Sequence, residues 1–286
     1  MTLTWMVVLK VSLVFFMAGN LLDMGLRLDT KNALRGLGNG RFVLLTLFWG
    51  FVFGPGVAFL IARLMPLDAP YALGLVLMGM TPCAPFLPML AGKAKADLGY
   101  TAAFMLLTAV GTIAFMPFAI PLLAKGMTVS AWAIAKPLIT IILLPLAIGM
   151  VILRASTRLA ALLQPMVKKV TLLFTASTML ACLVVYGEDM LGVAGSFAVI
   201  SLMLFFLAVT VIPYRLGFGL PHEQKIVLSL GMATRNLGAA FAPLVAAPFI
   251  DKRATVMVVL GIPLMVLFAA AAAKWFKPPA QDDYVQ

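Results

Sequence analysis

Arg235 and Asn236 stand where charged and amide side chains have no ordinary place, inside the apolar run "GMATRNLGAAFAP", residues 231–243. An arginine at the centre of a bilayer costs about 2.5–3.5 kcal/mol on insertion scales, so it should face the protein interior with a partner. Two readings stand. Arg235 contacts an anionic ligand or lines its path, or it forms a structural pair, for which Asp23 is the one carboxylate well inside an apolar segment. Thr234 and Asn236 beside it can exchange hydrogen bonds under either reading. A second apolar run, "GMTPCAPFLPML" at 79–90, holds Pro82, Pro85 and Pro88. Proline in a helix interior costs about 3 kcal/mol, so three within seven residues interrupt the helix. Cys83, between two of them, is either a soft ligand for a metal or metalloid or a small buried hydrophobe.

Other polar groups in apolar surroundings are fewer. Asn20 and Asp23, three apart, share one helix face; they line a common cavity, or Asp23 sits at the membrane interface beside Arg27. Lys10 falls in the outer third of the same helix, where a lysine snorkels. Enzymatic chemistry finds no footing. The single histidine, His222, lies in the loop "GLPHEQK", which excludes an H-E-x-x-H zinc site and an intramembrane serine–histidine pair. No second buried aspartate accompanies Asp23, and no Walker-type phosphate loop occurs. The residues describe a carrier with no cofactor, driven by an ion gradient or passive.

The elements that position these residues follow from composition. The chain has 286 residues, 63% hydrophobic and 11% charged, with mean hydropathy +1.10. That is too little charge for a soluble surface, and apolar runs of roughly 20 residues recur, each able to cross a hydrocarbon core as a helix. The short alternating segments of a β-barrel are missing. The expectation is an all-α polytopic membrane protein of nine transmembrane helices, at about 4–26, 42–64, 70–91, 98–123, 131–153, 165–186, 190–212, 224–248 and 254–276. The net charge of +11 lies in the links, where the positive-inside rule explains it better than nucleic acid does. Alternate links carry Arg27, Lys31, Arg35 and Arg41; Lys93 and Lys95; Arg154, Arg158, Lys168 and Lys169; Arg215 and Lys225; and Lys274 and Lys277. The opposite side has Arg63, Lys125, Lys252 and Arg253, with Glu188 and Asp189. This places the N-terminus outside and the C-terminus in the cytoplasm. The first twenty residues read as a spanning helix rather than a removed signal, and a bacterial inner membrane is expected. Cys83 and Cys182 imply no disulfide framework.

The two interrupted segments are the third and the eighth. They are five helices apart, so they cross in opposite directions. That is the arrangement of an inverted repeat within one transporter domain spanning 1–286, the first repeat at about 1–125, the second at about 130–277, the fifth helix extra, and a short tail at 278–286. Paired discontinuous helices at matching positions point to a transporter's central site, because freed backbone groups need protein, water or a ligand. The candidate substrate contacts are Thr81, Pro82, Cys83, Pro85 and Pro88 on the first break, Ser229, Thr234, Arg235 and Asn236 on the second, and Asn20. Half-helix N-termini favour an anionic substrate.

At these residues the chain resembles the bile acid:sodium symporter family over nearly its whole length. "FFMAGNLLDMGLRL" is similar to that family's early helix. "LMGMTPCAPFLPMLAGKAKADL" resembles its first crossover helix, with Pro82, Ala94, Lys95 and Asp97 matching, and "GLPHEQKIVLSLGMATRNLGAAFA" its second, with Gly231, Met232 and Leu237 matching. The resemblance implies inverted repeats, a panel and a core subdomain, two crossing broken helices, and secondary transport of a bile-acid-like or carboxylate anion. It also implies sodium coupling, although most of the family's sodium ligands are substituted in this chain. The family's sodium-binding Ser-Asn pair falls on Leu87 and Pro88, its Glu and Gln on Ser229 and Ala233, the following Asn on Thr234, and a further Gln on Gly50. Ser229, Thr101 and backbone carbonyls remain as oxygens, and Arg235 offers a fixed positive charge instead. Pro82-Cys83 also resembles the arsenite-efflux carriers, whose acidic residue in the second crossover helix has no counterpart here. A non-transporting receptor or scaffold on the same fold is a further alternative.

Overall fold

The computed structural model describes residues 2–28, 30–123, 131–193, 195–246 and 251–276. Every regular element among them is helical, and seven helices are long and apolar enough to cross a membrane. The first is α1 (Thr2–Gly25), followed by a short helix α2 (Thr30–Leu37). The second crossing is built from α3 (Gly40–Phe48), a π-helical turn over Trp49–Phe53, and α4 (Gly54–Leu64). The first interrupted segment is α5 (Ala69–Gly79) and α6 (Leu87–Lys93), and α7 (Leu98–Leu123) comes next. A crossing of α8 (Ala131–Pro137), a π turn over Leu138–Leu143 and α9 (Leu144–Ala155) leads to α10 (Thr157–Leu191) and α11 (Ala198–Arg215). The second interrupted segment is α12 (His222–Ala233) and α13 (Leu237–Ala246), and the last helix is α14 (Lys252–Trp275). Of the nine expected helices, the third and eighth are the ones divided in this way. Lys125, Lys277 and the tail at 278–286 lie outside the described residues.

Two expectations are corrected. The link between the fifth and sixth helices, expected to hold Arg154, Arg158, Lys168 and Lys169, shrinks to Ser156, which caps α10 by accepting from Leu159 N at 3.2 Å. The helix runs 35 residues, about 52 Å at 1.5 Å per residue, so its basic start extends beyond a ~30 Å hydrocarbon core. Pro165 marks no boundary. It lies inside the helix. The link after α1 is likewise not plain loop: α2 buries Ala33 and packs on α7 near Tyr100 and Ala103.

Both π turns precede a proline, Pro55 and Pro145. A proline has no N–H to close the ordinary i→i−4 bond, and the wider turn redistributes the carbonyls left over. The turn over Trp49–Phe53 lies against the first interruption, where Gly50 faces Pro82. Close approach is also written into the sequence at Gly54: a Cβ there would lie 2.9 Å from the Gly79 carbonyl, so only glycine admits the end of α5. Small residues at such crossings are the usual means by which membrane helices pack without a hydrophobic driving force.

Helix α1 packs on α9 and α10, whereas α4, α5, α11, α12 and α14 pack among themselves with α7 alongside. Ion pairs pin the ends. At the end carrying the start of α14, Lys252 meets Asp189 at 2.9 Å and Arg253 meets Asp68 at 2.8 Å. At the other end Arg27 pairs with Asp23, and Asp23 also accepts from Gln164 Nε2 at 2.7 Å, tying α1 to α10.

Candidate functional site

The two interruptions meet. An isolated antiparallel bridge joins Pro82 to Arg235. Around it, Cys83 N donates to the carbonyls of Gly231 (3.1 Å) and Thr234 (2.9 Å), and Asn236 N donates to Thr81 O (2.9 Å). Ala84 N donates to Thr234 Oγ1 at 3.2 Å. Each break thus supplies partners for backbone groups that the other releases, as an environment without water requires. Cys83 takes a positive φ of 75° at this crossing. Asn236 Oδ1 accepts from Ala239 N at 3.2 Å and so caps α13.

Arg235 is fully buried, with 0% exposure. Its backbone N–H lies 3.0 Å from Met265 Sδ, and Nη1 donates to Gly79 O at 3.4 Å. The guanidinium therefore sits on the C-terminal carbonyl end of α5, where a helix carries partial negative charge. Its Cζ lies 4.8 Å from the ring centroid of Phe205 on α11, a cation–π contact. These contacts hold the charge without a carboxylate, because Asp23, the partner considered from sequence, is engaged by Arg27 and Gln164. Nε and Nη2 are buried with no partner among the described residues. Orphaned buried donors of this kind are rare.

The remaining candidates divide. Thr81, Pro82, Cys83, Thr234, Arg235 and Asn236 converge on the bridge, all buried. Ser229 is buried one turn away and donates to Thr210 O at 2.5 Å. Pro85 is half-buried past the bridge, and Pro88 lines a cavity of about 260 Å³ with Met24, Arg27, Leu28 and Thr101. Thr101 Oγ1 donates to Asp97 O at 2.8 Å, so the two hydroxyls that remained as sodium oxygens are both committed to carbonyls. Asn20 donates to Phe16 O at 2.7 Å, one turn below Met17, which packs on Gly238 of α13. Cys83 belongs to no group of three metal-binding side chains among the described residues. Phe205, Met265 and Gly79 complete the Arg235 site and were not legible in the sequence: an aromatic, a methionine and a glycine in spanning helices look like ordinary packing.

A polytopic helical membrane protein with two broken segments bridged at a buried charge has the architecture of a carrier, and comparison with known proteins agrees. Residues 13–193 match the Sodium Bile acid symporter family. With more than half of its length matched, the chain belongs to that family, whose members are transporters and not enzymes. It is also similar to the "Probable sodium/metabolite cotransporter BASS3, chloroplastic" of Arabidopsis thaliana, 20% identical over 233 residues, 79% of this chain and 53% of that protein. The chain thus spans about half the length of the curated relative it matches.

Proposed function

We propose that the protein is a secondary active transporter that carries a small organic anion, a carboxylate or bile-acid-like compound, by alternating access. The observation that carries this reading is Arg235: a guanidinium buried at the meeting of two broken helices, free of any carboxylate among the described residues, with two donors unpartnered. An anion accepting from Nε and Nη2 satisfies both at once, in the forked geometry that suits a carboxylate. The N-terminal end of α13, immediately after Arg235, adds favourable potential for the same charge. Substrate contacts then come from Thr81 to Pro88 and from Ser229 to Asn236. Nine crossings place the N-terminus outside and the C-terminus in the cytoplasm of a bacterial inner membrane, consistent with the positive-inside rule. Helices α1, α9 and α10 form a panel and the rest a core, and the two inverted repeats, at about 1–125 and 130–277, run through both.

Uptake of a radiolabelled carboxylate panel into proteoliposomes tests the reading. Arg235→Ala should abolish uptake while the protein still elutes as a folded species; normal uptake by that variant would falsify the site. Replacing sodium by potassium should leave uptake within about twofold, since Ser229 and Thr101 are spent on backbone carbonyls. Strict sodium dependence would instead require an oxygen cage elsewhere. Ligand binding with no flux under any gradient would favour the scaffold alternative.

A further inference from the structure

The last turns of α10 and the first turns of α14 are joined by two polar contacts in one register. Lys252 Nζ donates to Asp189 Oδ1 at 2.9 Å, and three residues further into each helix the hydroxyls of Tyr186 and Thr255 are hydrogen-bonded. The next position inward on each helix is buried, Cys182 at 2% exposure and Val259 at 6%. Spacings of three and four keep Asp189, Tyr186 and Cys182 on one side of α10, and Lys252, Thr255 and Val259 on one side of α14. Cys182, Tyr186, Lys252 and Thr255 wall a cavity of about 260 Å³ that reaches Phe241 of α13, the half-helix that begins just after Arg235. The opposite end of the molecule is built differently. Its ion pairs stay within α1, Arg27 with Asp23, or join α2 to α7, Arg35 with Asp97 at 4.0 Å. Among the described residues, no ion pair there links α1, α9 or α10 to the other helices.

We propose that the Asp189–Lys252 pair, backed by the Tyr186–Thr255 hydrogen bond, is a latch that holds α10 against α14 at this end, and that its release opens the cavity behind it. The Lys252 side chain is 62% exposed and that of Asp189 24%. A pair this wet is weak and sensitive to salt, which suits a contact that forms and breaks better than one that fixes the fold. The buried Cys182 lies seven residues, about 10 Å at 1.5 Å per residue, inward of Asp189. It is therefore a native reporter of whether the interface has parted. The use of the latch in a transport cycle rests on the alternating access proposed above; the opening itself does not.

The test uses the full chain in nanodiscs, where both faces meet solvent, and a small water-soluble methanethiosulfonate with no substrate added. Peptide mass spectrometry follows the labelling of the two free cysteines, Cys182 and Cys83, separately. Asp189→Asn should raise the rate at Cys182 about two- to fivefold, the range that a surface ion pair allows, and leave Cys83 at its wild-type rate. Raising salt to about 1 M should bring the wild type toward the same rate without moving the variant. The reversed pair, Asp189→Lys with Lys252→Asp, should label as the wild type does. Unchanged labelling of Cys182 in Asp189→Asn overturns the proposal, and so does an equal rise at Cys83, which would mean that the whole fold has loosened. Latch-dependent labelling of a protein that carries no anion in proteoliposomes would keep this inference and reject the transport reading. Flux by a protein whose Cys182 labelling ignores the latch would do the reverse.

Discussion

Between Gly79 and Leu87 the chain leaves its helix through residues that lack a donor, Pro82 and Pro85, whereas between Ala233 and Leu237 it does so through Thr234, Arg235 and Asn236, which carry several. The first break reduces the number of orphaned N–H groups. The second supplies partners for those that remain, since the carbonyl and hydroxyl of Thr234 take the N–H groups of Cys83 and Ala84. In the other direction the first break offers only carbonyls, Thr81 O to Asn236 and Gly79 O to Arg235. The lesson is a division of labour: one segment is opened by backbone chemistry, the other by side chains. Substitutions should therefore act differently at the two.

The largest structural effect is expected where backbone meets backbone. Gly54→Val pushes a branched side chain against Gly79 O and should destabilise the detergent-solubilised protein by about 1–3 kcal/mol or more, as overpacking does, seen as a lower melting midpoint by size exclusion. A midpoint within error of wild type would mean that the first break is not set by this contact. Next comes Thr234→Val, which leaves Ala84 N buried without its acceptor and should cost about 1–3 kcal/mol. The matching change at the first break, Thr81→Val, removes only a donation to the Met78 carbonyl at 3.2 Å and should cost less, about 0.5–1.5 kcal/mol. Equal losses in the two variants would erase the asymmetry. The smallest effect lies outside the membrane. Asp251 caps α14 through Arg253 N at 2.9 Å, and hydrogen bonding from Arg253 holds its carboxyl below the usual range. Stability from this group is therefore present above the unfolded value of about 3.9 and is lost as pH falls through the lower folded one. Asp251→Asn should flatten that acid limb and slightly lower stability at neutral pH, where the contribution is fully present.

Much of this architecture was legible in the residues. Three prolines in twelve positions and one arginine in an apolar run locate both breaks, because each violates what a bilayer tolerates. The bridge between Pro82 and Arg235 was legible only as an expectation that paired breaks frame one site. What held Arg235 was not, since Phe205 and the Gly79 carbonyl are common groups whose role depends on where the chain brings them. Asp23 was legible: of a pair with Arg235 and a place at the interface beside Arg27, the sequence favoured the second, and the i,i+4 pair with Arg27 forms. The long basic start of α10 was missed because charge and Pro165 both resemble a loop, while the helix simply continues past the hydrocarbon.

A cation bonded to the polypeptide has an electrical consequence. A dissociable counter-ion would travel with an anionic cargo and cancel its charge, whereas Arg235 returns with the protein at the end of every cycle. For a carrier of this kind working without a co-transported ion, each turnover then moves the charge of the anion alone. A potential of 100 mV shifts the driving force by about 2.3 kcal/mol per charge, so voltage sets the direction in which such a carrier runs at equal concentrations, and an interior-negative membrane turns it outward.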